Sequence, residues 1–175
     1  MNEKMRHIIG YTVGAAVFFV LIPFGFYELS KLDYLDGYRI LINSTILKVL
    51  ISFLTFFTGA YFVIWSNIFL FKIGKGGPAD GFGISVSPKT KKLVTNGPYR
   101  YSRNPMVFGA LSIYFSMVIY MNSFIGLLAL LGMIILIVNY LKNSEEKRLL
   151  RDFGDEFVAY RKRVSMIIPL KQFKQ

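Results

Sequence analysis

Two short polar clusters in this sequence carry residue types suited to ligand chemistry. The first is Leu93-Val94-Thr95-Asn96-Gly97-Pro98-Tyr99-Arg100-Tyr101-Ser102-Arg103-Asn104-Pro105, directly before an apolar run. Asn104-Pro105 is a helix-start signal, with asparagine at the cap and proline at the first helical position. The unpaired backbone N–H groups of such a first turn seat an anion such as a carboxylate. Arg103 adds a fixed positive charge, Gly97-Pro98 forces a turn, and Tyr99 and Tyr101 offer aromatic faces. The second cluster, Asn143-Ser144-Glu145-Glu146, follows another apolar run. Negative charge near the C-terminal end of a helix is opposed by the helix dipole and becomes favourable beside a cation, for instance an α-ammonium or a sulfonium. Asn139, Asn143 and Glu146 share one helical face by their i, i+4, i+7 spacing. A polar face at membrane depth usually looks into a cavity. Each cluster alone also has a structural reading: the first as an aromatic and basic interfacial anchor, the second as a capping box with Asn143 at the cap and Glu146 at the third position. Taken together they place an anion seat and a cation seat across a cleft, which fits a zwitterionic amino-acid ligand with a positive centre.

The elements that must position these clusters are apolar blocks. The 175 residues are 54% hydrophobic and 17% aromatic, and the apolar residues gather around Ile8–Tyr27, Ile46–Phe71, Met106–Met121 and Phe124–Leu141. A bilayer crossing takes roughly 20 residues. The pattern predicts an all-α, polytopic transmembrane helical bundle forming a single membrane domain over 1–175. The first two spans lie in 1–71, with Pro23 and Gly25 expected to kink or end the first. Residues 72–175 hold a loop, a helical hairpin and a C-terminal helix. Only Asn122 and Ser123 separate the third and fourth blocks, so they form a tight antiparallel hairpin whose open ends lie side by side. Both polar clusters sit at those ends. The Lys72–Pro105 loop reads as no regular element, and a loop that long is usually functional or disordered. Residues 144–163 alternate charge with Leu149, Leu150, Phe153, Phe157, Val158 and Tyr160, as an amphipathic surface helix would, with a break expected at Gly154.

Composition excludes several chemistries. There is no cysteine and one histidine, so disulfides, thiolate sites and a histidine-based metal cluster are ruled out, and no metal is expected. The net charge of +11 would suggest nucleic acid in a soluble protein. Here the basic residues flank apolar spans, so membrane lipid is the expected partner and nucleic acid is not. Lys72, Lys75, Lys89, Lys91, Lys92, Arg100 and Arg103 lie in the long loop, and the tail is also basic. The loop between the first two spans has only Lys31 and Arg39, offset by acids. This asymmetry puts the long loop, the tail and both termini on the cytoplasmic side.

The run from Lys91 to Gly109 resembles the cofactor motif of the integral membrane methyltransferases, which include the isoprenylcysteine carboxyl methyltransferases and the phospholipid N-methyltransferases. Glu145-Glu146, Leu149, Phe153-Gly154, Glu156, Tyr160, Val164 and Pro169 resemble that family's C-terminal signature. The resemblance implies S-adenosylmethionine as cofactor, held by Lys92, Leu93, Val94, Gly97, Tyr99, Asn104, Pro105, Met106, Val107, Gly109, Glu145 and Glu146. Within that set it implies Leu93 and Val94 beside the adenine, Asn104 and the N–H groups after it on the methionine carboxylate, a glutamate on the ammonium, and Tyr99 towards the sulfonium. The acceptor is expected to be lipophilic or lipidated, either a prenylcysteine-like carboxylate or a lipid amine, reaching the site laterally from the bilayer. Arg103, Asn139 and Lys142 are candidates to bind it. Arg103 would orient a carboxylate acceptor, and Glu146 would take a proton from an amine. Three positions depart from the carboxyl methyltransferase pattern: Asn104 stands for histidine, Val107 for tyrosine, and Leu141, beside Lys142, for the substrate-facing arginine of the eukaryotic enzymes. Two other classes remain open at this level, an NADPH-dependent membrane reductase of the sterol-reductase type and a non-catalytic membrane scaffold.

Overall fold

The structure is a computed structural model that describes residues 3–36, 41–74, 80–81, 84–85 and 90–170. The described residues hold six α-helices: α1 (Glu3–Ala16), α2 (Ile22–Asp36), α3 (Thr45–Phe69), α4 (Pro105–Met121), α5 (Phe124–Tyr140) and α6 (Glu146–Arg163). Three of the junctions are not breaks. π-helical turns at Val17–Leu21, Leu70–Gly74 and Leu141–Glu145 extend or fuse the flanking helices. Three continuous helices are therefore long and apolar enough to cross a membrane: Ile8–Asp33, Thr45–Gly74 and Phe124–Arg163. The fourth, α4, has 17 residues, about 25 Å of helix against a hydrocarbon core of about 30 Å. Their outward faces carry exposed Phe19, Ile46, Phe53 and Leu136, the surface that a lipid solvent requires.

Pro23 neither ends nor breaks the first helix. The turn ahead of it is π-helical, and the Ile22 N–H bonds back to the Val17 carbonyl. The next rung of that ladder would run from residue 23 to the Phe18 carbonyl, and proline has no N–H to supply it. Tyr114 of α4 takes its place, its hydroxyl donating to Phe18 O at 3.1 Å. Tyr114 also packs against Phe18 and Phe26, with ring centroids 5.2 and 5.7 Å away, in the core cluster with Leu111, Val118 and Leu130. In a bilayer an orphan carbonyl has no water to turn to. Tyr114→Phe is expected to lower thermal stability in lipid by about 1 kcal/mol while leaving ligand binding at the far end of α4 unchanged. An unchanged melting temperature would show that the carbonyl finds another donor.

The α3–α4 pair is the closest in the bundle. Gly59 and Gly109 meet backbone to backbone: a Cβ on either would lie 2.6 Å from the other's carbonyl oxygen. The α4–α5 hairpin closes as its two-residue spacing predicts. Asn122 adopts the left-handed conformation (φ 56°) and Ser123 caps α5, accepting from Gly126 N at 2.8 Å. This turn is tied down from outside. The Asp33 carboxylate accepts from the Ser123 hydroxyl and from Ile125 N (3.0 Å), and the Asn122 amide bonds Ile42 N and O at 3.0 and 3.2 Å.

Two expectations are corrected at the other end of the hairpin. Asn143 does not cap a separate tail helix. It lies within the π-turn that joins α5 to α6, and both it and Asn139 are exposed. Asn139, Asn143 and Glu146 do not line a common cavity: the two asparagines are exposed, and Glu146 is nearly buried against Arg103. The break expected at Gly154 is present (φ 50°, ψ −127°). Within the long loop, Gly97–Arg100 forms a 3-10 turn, and Asp80–Gly81 pairs antiparallel with Ile84–Ser85. Gly76, Gly77, Pro78, Gly83 and Pro88 lie outside the described residues. After α6 the chain turns back, and residues 164–170 run along residues 101–104. Arg103 N bonds Ser165 O (2.9 Å), Asn104 N bonds Met166 O (3.1 Å), and Leu170 N bonds Tyr101 O (3.2 Å).

Candidate functional site

The two polar clusters do meet. A cavity of about 290 Å³ is walled on one side by Leu93, Val94, Tyr99, Arg103, Asn104, Pro105, Met106 and Val107. On the other side stand Tyr140, Leu141, Glu145, Arg148, Leu149, Phe153 and Tyr160, with Leu70 and Thr90 completing the wall. The hairpin brings the two sides together, and Leu141, Glu145 and Leu149, four residues apart, fall on the same wall. Phe157, Tyr160 and Val164 form a small apolar core beneath it, joined by Leu93, Leu149 and Phe153.

The glutamate doublet divides its work. Glu145 lines the cavity and pairs with Arg148 at 2.5 Å. Glu146 does not line it. One of its oxygens accepts from Arg103 Nη1, and the other lies 3.6 Å from Arg161 Nη1. Arg103 is largely buried, and desolvation lowers its pKa, an effect the Glu146 carboxylate opposes. Its Nε is buried with no hydrogen-bond partner among the described residues. Burial pushes the Tyr99 phenol well above the ordinary tyrosine range, with the charge of Glu145 adding to the shift. Tyr99 is therefore a neutral hydroxyl at any physiological pH. Its carbonyl accepts from the Tyr160 hydroxyl at 2.6 Å, which fixes the Gly-Pro-Tyr turn to α6.

Asn104 lines the cavity and also holds the chain beyond α6. Its side-chain amide donates to Met166 O at 3.1 Å, and it makes no side-chain cap on α4. That donor group holds the returning C-terminal segment. The first intrahelical bond of α4 runs from Phe108 N to Asn104 O (3.1 Å), so the N–H groups of Met106 and Val107, both on the cavity wall, precede the ladder and have no intrahelical acceptor.

Several other expected residues stand apart from the cavity. Lys92, Asn139 and Lys142 are exposed. Gly97 (φ 62°) makes the turn, where a Cβ would strike the Phe69 ring at 2.5 Å, and Gly109 is on the α3 seam. Sequence reasoning missed Leu70, Thr90, Tyr140, Leu141 and Arg148 as wall residues, and gave Leu149, Phe153 and Tyr160 no place in the site. Leu149 and Phe153 were findable, since a spacing of four puts them on one helical face ahead of the break at Gly154. Arg148 carried no signal in so basic a tail.

The wall suits an amino-acid zwitterion. The Arg103 guanidinium and the first-turn N–H groups of α4 offer donors to an anion, and the Glu145 carboxylate offers an acceptor to a cation. Comparison with known proteins gives an independent result. No curated protein matches the chain, but the family model for phospholipid methyltransferase matches residues 47–156, well over half of it, from the start of α3 to the middle of α6. The chain belongs to the phospholipid methyltransferase family, a family of membrane methyltransferases.

Proposed function

We propose that this protein transfers a methyl group from S-adenosylmethionine to a lipophilic acceptor in the bilayer, a prenylcysteine-like carboxylate or a lipid amine, at a site facing the cytoplasm. The observation that carries the reading is the single cavity on which both motif clusters converge. When bound, S-adenosylmethionine supplies an activated methyl group to a nucleophile. Arg103 and the Met106 and Val107 N–H groups would hold its carboxylate, and Glu145 its ammonium. Leu93 and Val94 supply an apolar wall for the adenine. Tyr99, kept neutral by burial, donates or accepts a hydrogen bond without exchanging a proton. Leu141, Leu149 and Phe153 keep water from the opposite wall. Methyl transfer to a carboxylate, already anionic, needs orientation and dryness more than acid–base help, and these residues supply both; a lipid amine must also give up one proton, which water at the cavity mouth would take. The cytoplasmic placement rests on the basic residues of the loop and tail, which flank the apolar spans in sequence.

One experiment tests cofactor and sidedness together. Radiolabelled S-adenosylmethionine, which does not cross membranes, is added to sealed vesicles of either orientation holding the protein, with NADPH binding as a control. Label is expected in the lipid extract of inside-out vesicles and not of right-side-out ones. Transfer in right-side-out vesicles alone would reverse the assigned orientation. No transfer and no S-adenosylmethionine binding in either would remove the methyltransferase reading, and binding of NADPH instead would favour the reductase.

A further inference from the structure

Glu146 sits behind the cavity wall rather than on it, and its two carboxylate oxygens are directed at two guanidinium groups, Arg103 on one side and Arg161 on the other. Arg103 reaches the cavity. Its main chain is fixed by the Ser165 carbonyl at 2.9 Å. Its side chain is fixed by the bond from Nη1 to Glu146, and both side chains of that pair are nearly buried, 11% and 12% exposed. A guanidinium is a planar fork of five N–H donors. Anchoring one terminal nitrogen sets the direction of the remaining edge. That edge includes Nε, which is buried and has no hydrogen-bond partner among the described residues. Arg103 itself lines the cavity, so its fixed positive charge stands beside any anion held there. The neighbouring N–H groups at the start of α4 point to the same ligand chemistry.

We infer that Glu146 is a positioning residue: it holds the Arg103 guanidinium against the cavity as the seat of an oxyanion, and does not itself meet substrate. The inference rests on the methyltransferase reading above. The oxyanion is either the α-carboxylate of the cofactor or an acidic group on the acceptor. Both have the same chemistry, and the test separates them.

The purified protein in lipid-supplemented detergent is titrated calorimetrically with S-adenosylmethionine and with decarboxylated S-adenosylmethionine, which lacks the carboxylate. KM is measured for a prenylcysteine carboxylate and for phosphatidylethanolamine vesicles. The variants are Arg103→Gln, Glu146→Gln, their double, and Glu146→Asp. Arg103→Gln and Glu146→Gln are each expected to weaken the same ligand by about tenfold, as loss of a charged hydrogen bond does. The double variant should be no worse than either single, and Glu146→Asp should recover most of the loss. If the cofactor supplies the anion, S-adenosylmethionine weakens and its decarboxylated form does not. If the acceptor supplies it, cofactor affinity holds and the acceptor KM rises. Loss of kcat in Glu146→Gln with every affinity unchanged would make Glu146 a base and overturn the inference, as would independent, additive effects of the two single variants. If Glu146→Gln does not fold, Glu146→Asp beside Arg103→Lys carries the same comparison. Failure of the unsubstituted protein to bind S-adenosylmethionine would instead overturn the cofactor reading itself, and this inference with it.

Discussion

Glu145→Gln is expected to weaken S-adenosylmethionine binding by about a hundredfold, or ~2.8 kcal/mol, with the folded protein still recovered. The cavity loses the carboxylate proposed to meet the cofactor's ammonium, and a hydrogen bond to a charged group is worth about 1.5–3 kcal/mol. Calorimetry on the purified variant measures it directly. An affinity within about threefold of the parent (under 1 kcal/mol) would take Glu145 out of the cofactor site. The same measurement on Asn139→Ala and Lys142→Ala should show no change, since both side chains stand exposed, away from the cavity.

Gly109→Leu is expected to prevent recovery of folded protein. The side chain would grow from a point 2.6 Å from the Gly59 carbonyl and 2.8 Å from a Val63 methyl. The obstacle on one side is backbone, which cannot rotate aside. Helix association in lipid depends on such close approach, because burying apolar surface supplies little drive between lipid-solvated helices. Forcing the α3–α4 seam apart is expected to cost at least about 3 kcal/mol, the upper part of the range for overpacking. Gly132→Ala is the control: nothing lies within 4 Å of a Cβ there, and alanine in mid-helix should be neutral or stabilising by up to about 1 kcal/mol. Size-exclusion profiles and thermal unfolding in lipid compare the two. A well-folded Gly109→Leu protein would show that the seam is plastic.

The hairpin was legible because its signals are local: two polar residues between apolar blocks, one able to adopt φ above zero and the other a capping serine. The meeting of the two motif clusters followed from it. The π-turns were not legible, since Leu141–Glu145 has no composition that separates it from ordinary helix. Which of the helix's faces meets the cavity was hidden as well: Asn139 and Asn143 are exposed, whereas Leu141 and Glu145 line the wall. Gly109 and Asn104 show a second limit. Both belong to a motif that reads as cofactor chemistry, yet the glycine serves a helix seam and the asparagine's amide serves the C-terminal segment. A motif reports which residues act together, not which of them touches the ligand. The division between Glu145 and Glu146 was equally hidden, since it depends on where Arg148, Arg103 and Arg161 fall in three dimensions.

The bond from Asn104 to Met166, and the strand-like contacts beside it, bear on when the protein becomes competent. Asn104 opens α4, but its partner is made only after α4, α5 and α6 have left the ribosome. The hairpin can integrate and close through Asn122 and Ser123 while the cavity still lacks one of its supports. A chain cut after α6 would keep every helix described here and lose the segment that holds Asn104 and Arg103 in place.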